Sequence, residues 1–424
     1  MQRRIASSGS VGGVIVVAWL ATSVFYFYQY VLRSAPAVMM PQLSDALGLS
    51  AAGLATLVGL FYYGYAPFSL VAGVAMDQLG ARRVVPLGCG IVAVGALLFA
   101  TGDPNLAAVG RFLQGVGGVF ALIGAAYIAT TNFPASRAAT LIGVTQMFGM
   151  AGGSAGQFLV GPAIAGGVGW KLFWLAMSVV GALIAVLLLV VMPSGRKSGN
   201  RNWLGSAASA VWTVAINPQS ILCGLISGLF FIPTTIFDMV WGVRFLQEAH
   251  DMPYGMAVLR SASVPFGWII GCPLVGMLSD RMGRRKPVIV GSGLLLAGCL
   301  ALILYGPPDL FPPFLLGLFT GIASGAAMLP YTVIKEANRP EHSGTATGVV
   351  NFINFSFSAL LGPVFGGWLL EASKGGPREL EHYQAAFSPL LYGVALAVLL
   401  TLLLRETGTG ARSATPPSVT TSPA

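Results

Sequence analysis

Two ionisable side chains lie deep inside apolar stretches, and their types set the chemistry open to this chain. Arg33 and Asp238 stand away from the ends of the apolar runs 12–40 and 216–246. Arginine presents a planar fork of donors that matches a carboxylate or a phosphate. An aspartate in such a place can hold an amine, carry a proton, or neutralise an arginine. Charge inside a membrane is costly to bury, so such residues are functional candidates by default. The plainer alternatives are a structural ion pair and snorkelling of Arg33 to an interface. Arg111, inside the run 104–132, is a third such residue and suits coupling or structure better than binding. Tyr30, Tyr62, Gln146, Asn351 and Asn354 stand at helical spacing inside the runs and can complete a pocket. Asn351 and Asn354 share one helix face at i and i+3, although buried amides also simply join helices.

The elements that must position these groups follow from the hydropathy pattern. Of the 424 residues 55% are hydrophobic and only 9% charged, against about 25% charged in soluble domains. Apolar runs long enough to span a bilayer recur twelve times, at 12–40, 50–76, 84–102, 104–132, 138–167, 170–193, 216–246, 256–278, 287–305, 311–334, 343–371 and 384–404. With a cytoplasmic N-terminus, sixteen Lys and Arg residues fall on inside segments, from Arg3 and Arg4 to Arg405 and Arg412, against five outside: Lys171, Arg244, Arg260, Lys374 and Arg378. That bias predicts both termini inside. The fold class expected is an all-α polytopic membrane protein of twelve transmembrane helices. Residues 1–193 form one six-helix bundle, 194–216 a cytoplasmic linker, 217–405 a second bundle and 406–424 a disordered cytoplasmic tail. Trp203 and Trp212 bracket a stretch of the linker that suits an interfacial amphipathic helix.

The same pattern excludes other classes. The net charge of +9 is spread in short runs between apolar segments, which is topogenic charge and no nucleic-acid face. The four cysteines lie inside apolar runs without a CxxC pair, and neither a metal-ligand cluster nor a P-loop occurs, so no metal, cofactor or enzyme activity is expected. Gly152-Gly-Ser154-Ala-Gly156 fits a hydrolase elbow by letters alone, but that motif needs a strand-to-helix turn with histidine and acid partners; small-residue helix packing explains it.

The two halves carry the same punctuation. Gly73, Asp77, Gly80, Arg82 and Arg83 follow the second run, and Gly276, Asp280, Gly283, Arg285 and Lys286 follow the eighth, at an offset of 203. Arg137-x-x-Thr140-x-x-Gly143 is echoed by His342-x-x-Thr345-x-x-Gly348 at 205, and Gly161-Pro162 by Gly362-Pro363 at 201. Two related six-helix halves with a site at the midplane between them are the architecture of secondary transporters. Arg33 and Asp238 then stand near pseudo-equivalent points of the first and seventh helices.

Over nearly its whole length the chain resembles the major facilitator superfamily. The G-x-x-x-D-x-x-G-x-R-[RK] loop, present twice, is that family's most specific mark, and Gly110-Arg111-Phe-Leu-Gln114-Gly115 is similar to its G-R-x-x-x-G motif. The resemblance implies that Asp77, Asp280 and the basic residues around them form a cytoplasmic charge latch, and that Arg111 ties helix 4 to helix 1. Gly161-Pro162-x-x-x-Gly166-Gly167 has one residue more than the family's exchanger motif, whereas Gly362-Pro363-Val-Phe-Gly366-Gly367 has the tight form. Tyr30-Val-Leu-Arg33 through Met40-Pro41 is similar to helix 1 of the organophosphate:phosphate antiporters, whose arginine contacts phosphate. Their partner arginine on helix 7 has no counterpart in Phe230–Asp238, which points to a monoanion or a zwitterion. The expectation is a monomeric secondary transporter of a small organic solute in a bacterial-type inner membrane, coupled to protons. A transporter-like receptor that binds a solute without moving it, or a uniporter or exchanger of dipeptide or phosphate-ester type, is the rival reading.

Overall fold

The computed structural model describes residues 8–49, 51–193, 203–307, 313–374 and 376–409. The chain is an all-helical polytopic membrane protein, and its helices are named here in chain order. The first half holds α1 (Ser8–Ser34), α2 (Ala51–Leu79), α3 (Ala81–Ala100), α4 (Pro104–Asn132), α5 (Ala138–Phe158) and α6 (Trp170–Val191). The second holds α7 (Pro218–His250), α8 (Tyr254–Met282), α9 (Lys286–Tyr305), α10 (Phe314–Glu336), α11 (Ser343–Ala372) and α12 (Leu380–Leu403).

Eleven helices among the described residues are long and apolar enough to cross a bilayer. The exception is the expected run 138–167, which divides into α5 and a short helix Val160–Ala165. Pro162 explains the break, because it lacks the amide that would bond to the Phe158 carbonyl four residues back. The ends of α2 and α8 also run past the expected boundaries, so Asp77 and Asp280 sit on last helical turns rather than in loops. Within the linker, Trp203–Ala215 is helical as expected. Residues 194–202 and 410–424, with Arg196, Lys197, Arg201 and Arg412, lie outside the described residues, as do Arg3 and Arg4.

Small residues set how closely the helices approach. α4 starts on an Asp103 cap that accepts from the amides of Asn105 and Leu106 at 2.9 Å each. Its glycine face lets neighbours touch at the backbone: a Cβ on Gly110 would stand 2.5 Å from the Gly95 carbonyl oxygen of α3. Polar groups are joined inside the bundle, as a chain in lipid requires. Tyr28 donates to the Met177 carbonyl at 2.8 Å, linking α1 to α6, and Trp268 Nε1 to Thr234 Oγ1 at 2.9 Å, linking α8 to α7.

Candidate functional site

Arg33 stands in the last turn of α1, where Pro36 ends the α-helical ladder and the chain continues as a tighter turn, Ala35–Val38. Its guanidinium is caged by aromatic rings: Tyr30 and Tyr62 at 4.9 Å, Phe355 at 5.2 Å and Phe61 at 5.6 Å from centroid to Cζ. Each face-on contact stabilises the cation by about 0.5–2 kcal/mol. Nε and Nη2 donate to the Tyr62 hydroxyl at 3.3 and 3.0 Å, and Nη1 is buried without an acceptor among the described residues. Arg33 and Tyr62 line a cavity of about 670 Å³ between the halves, together with Thr235, Trp241, Phe352 and Ser356 of the second half. An anion entering this cavity meets a desolvated guanidinium whose orientation is already fixed.

Asp238 occupies a wider helical stretch of α7, Pro233–Gly242, that begins at a proline. Bulged turns of this kind recur at functional sites. One carboxylate oxygen accepts from Ser261 Oγ of α8 at 3.1 Å. Asp238 lines a second cavity of about 390 Å³ with Tyr30, Gly153, Ser154 and Ser261, on the α5–α8 side of the α1/α7 pair. Arg33 and Asp238 form no ion pair within 4 Å: the five pairs among the described residues involve other groups. They line different cavities, and Val240 of α7 bounds both.

The other pocket candidates divide. Tyr30 and Tyr62 are cavity walls. Gln146 accepts from Tyr26 at 3.0 Å; Asn351 accepts from Tyr331 at 2.9 Å and donates to Ser69 at 2.8 Å; Asn354 donates to Tyr331 at 3.2 Å. These three amides join helices behind the cavity walls and line neither cavity. The Asn354 Oδ1 and Gln146 Nε2 atoms are buried without a partner among the described residues. Arg111, 1% exposed, donates to the Leu32 carbonyl of α1 at 3.0 Å, to Val58 O of α2 at 3.3 Å and to Gln114 at 2.7 Å. It braces the helix that carries Arg33.

The repeated loops meet at one end of the bundle, called here the basic end. Asp77 of α2 accepts from the amides of Gly344 and Thr345 and from the Thr345 hydroxyl at 2.6, 2.7 and 2.7 Å. Asp280 of α8 accepts from the Thr140 amide and hydroxyl, both at 2.8 Å. Each carboxylate therefore caps the first turn of a helix in the opposite half, where the exposed amides favour an anion. Gly73 and Gly276 allow the contact: a Cβ would come within 2.6 Å of Gly344 O at the first and 2.5 Å of Ala139 O at the second. Gly80 and Gly283 turn the chain with φ of 76° and 62°.

The two copies differ in their bases. Arg285, 1% exposed, bonds Asp280 at 2.6 Å and Glu336 of α10 at 2.8 Å. Burial works against its charge, but the Glu336 and Asp280 carboxylates outweigh this and hold its pKa above the ordinary value. Lys286 donates to the Leu402 carbonyl at 2.9 Å. Arg82 and Arg83 are exposed instead, and Asp77 is held by the amides and hydroxyl of a helix start. The stretch read as the start of a free tail is also tied down. Glu406 accepts from the amides of Arg285 and Lys286 at 2.6 and 3.2 Å, and Thr407 donates to Glu336 at 2.6 Å.

Sequence reasoning missed Glu336 and Glu406, and two buried cations. Arg260, counted with the outside loops, is 9% exposed inside α8 and bounds a small void of about 30 Å³ behind Asp238. Lys335, counted as topogenic, is 8% exposed and donates to Thr130 of α4 at 3.3 Å.

A sequence model of the Major Facilitator Superfamily matches residues 18–363. The mouse MFS-type transporter SLC18B1 is 24% identical over 377 residues, covering 81% of this chain and 78% of its own. The hexuronate transporter of Bacillus subtilis is 24% identical over 362 residues, covering 81% and 85%. In three dimensions the chain is similar to the E. coli fucose:proton symporter FucP, with a TM-score of 0.73 at 15% identity over 92% of this chain and 98% of that one.

Proposed function

Because the chain belongs to the Major Facilitator Superfamily, we propose that it is a secondary active transporter that moves a small organic anion or zwitterion by alternating access, coupled to protons. The observation that carries this reading is Arg33, with one buried donor, Nη1, left without an acceptor at the wall of a roughly 670 Å³ cavity. A cavity of that size suits a small solute, and a fixed guanidinium suits a carboxylate. The aromatic cage favours a solute with an apolar or planar body. Asp238, outside that cavity and free of an ion pair, is the group proposed to exchange the coupling proton. Names of relatives agree in class only: the Bacillus subtilis relative is a hexuronate transporter and the structural neighbour a proton symporter.

The geometry fits one half of the cycle. The basic end is shut by Asp77 and Asp280, and the cavities lie toward the other end. With the charge bias placing the basic end in the cytoplasm, the conformation is outward-facing in a bacterial-type inner membrane. The first test is a thermal-shift screen of purified protein against organic acids, amino acids and dipeptides, repeated with Arg33→Gln. Stabilisation by an organic acid that the variant loses supports the proposal. Stabilisation that survives in Arg33→Gln places the anion site elsewhere.

A further inference from the structure

The seam between α5 and α8 changes character along its length. At the basic end the helices touch at the backbone: a Cβ on Gly143 would stand 2.2 Å from the Cys272 carbonyl oxygen. Toward the other end they part, and two cavities occupy the gap. The inner one is the roughly 390 Å³ cavity bounded by Asp238, Ser261 and Ser154. The outer one, about 580 Å³, is walled by Leu159, Leu259, Phe266, Phe314 and Leu318. Ser154, Phe158 and Ala262 bound both and so stand at the partition between them.

Several features make this a route rather than a packing defect. The outer wall faces the lipid: Leu159 is 70% exposed, Phe266 52% and Phe158 44%. α5 stops at Phe158, beside the partition, because Pro162 interrupts the helical ladder. The Ser154 hydroxyl is buried without a partner among the described residues, a polar atom offered to whatever passes. At the inner end stands a carboxylate with one oxygen bonded to Ser261. Arg260 bounds the small void behind Asp238 and not the inner cavity.

We propose that the α5–α8 seam is a lipid-side binding site for amphipathic amines, with the ammonium on Asp238 and Ser261 and the alkyl part in the outer cavity. Charge complementarity fixes the occupant. A neutral acyl chain would satisfy the outer walls but leave the carboxylate unpaired in a low-dielectric site, whereas an ammonium pairs it and satisfies its own donors there. A fatty acid would set two anions against each other. The site is distinct from the anion cavity at Arg33, lies on the other side of the α1/α7 pair, and shares with the transport reading above only Asp238.

The test uses the full chain in nanodiscs of zwitterionic lipid and two photoreactive probes: a long-chain primary amine with a diazirine in its alkyl chain, and the corresponding alcohol. Cross-links are mapped by mass spectrometry in wild type, Asp238→Asn and Ala262→Trp, each checked for an unchanged elution profile and melting temperature. The expected result is labelling around Phe158–Leu159 and Phe314–Leu318 several-fold stronger with the amine than with the alcohol. That excess should vanish in Asp238→Asn. Ala262→Trp, which thickens the partition, should also lose the excess while alcohol labelling of the outer wall persists. Equal labelling by both probes, unaffected by Asp238→Asn, makes the outer cavity a bilayer acyl-chain groove and overturns the proposal. Absence of labelling there in wild type overturns it as well.

Discussion

Asp280 accepts hydrogen bonds from both the amide and the hydroxyl of Thr140 at 2.8 Å, although 140 residues separate them in the chain. Asp77 holds Thr345 in the same way from the other half, at 2.7 Å to each atom. A pair of identical caps, crossed between pseudo-equivalent helices, can close one end of a two-bundle protein without a permanent bond. Each cap unites a charge-assisted hydrogen bond, worth about 1.5–3 kcal/mol net, with the amide field of a helix start. Rocking the bundles apart breaks both caps at once and exposes the carboxylates to water, so the cost of opening stays modest.

Asp77→Asn and Asp280→Asn should therefore fold and insert but cycle abnormally. An asparagine keeps one accepting oxygen, but its amide group then faces a donor where the second carboxylate oxygen stood, the Gly344 amide at position 77 or Arg285 at position 280. Initial uptake in proteoliposomes should fall about tenfold in each, equivalent to about 1.4 kcal/mol. Asp280→Asn should also lower the melting temperature more than Asp77→Asn, because it leaves Arg285 buried beside a neutral side chain. Wild-type uptake in both variants would reduce these loops to topogenic signals.

Glu406 predicts a gate that extends past the last helix. Its carboxylate caps the start of α9 through the Arg285 and Lys286 amides, and Thr407 braces Glu336, which pairs with Arg285. A chain ended after Arg405 should populate the open basic end more than a chain ended after Thr409. Spin labels on the exposed residues Ser136 and Glu341 read that distance directly. Identical distance distributions in the two truncations would leave Glu406 a surface contact without effect on gating.

The parts that were legible in the sequence are those the repeat wrote twice. Asp77 and Asp280, with Gly73 and Gly276, stand at one offset, and the crossed caps use Thr140 and Thr345, which a second offset had paired. Glu336 was hidden because the position 205 residues earlier is Thr131, so no echo marked it. Glu406 lies where composition reads as tail. Arg260 and Lys335 were lost for another reason: near a span end, charge alone does not tell a buried cation from a topogenic one, and only the packing of α4, α8 and α10 decides it. The amides Gln146, Asn351 and Asn354 show the same limit, since helical spacing gives a face but not what that face meets.

Gly73 and Gly344 approach so closely that a larger side chain must separate the halves. Gly73→Leu places atoms where the Gly344 carbonyl now stands, 2.6 Å from the Cβ position, and Gly276→Leu does the same against Ala139. Both variants should favour the conformation open at the basic end. A cysteine at Ser343, 5% exposed at this seam, should then react with a membrane-impermeant maleimide from the basic side in either variant and stay protected in their absence. Protection retained in both would mean that the halves slide rather than part.

Arg33 and Asp238 line different cavities and form no ion pair with each other, and this decides what their variants should do. If they existed to neutralise each other, removing both charges would restore function. The structure gives Arg33 a cage of four rings and the Tyr62 hydroxyl, and gives Asp238 the Ser261 hydroxyl, with the two facing different cavities. Arg33→Lys keeps the charge but loses the planar fork that bonds Tyr62, so organic-acid affinity should fall about tenfold or more. Asp238→Asn should keep that affinity and solute exchange while losing accumulation driven by a proton gradient, since it removes the group proposed to titrate. The double change Arg33→Gln with Asp238→Asn should then lack both binding and accumulation. Equilibrium binding and gradient-driven uptake measured on the three proteins separate these expectations. An active double variant would show that the two charges serve only to cancel, and would remove Arg33 from the solute path.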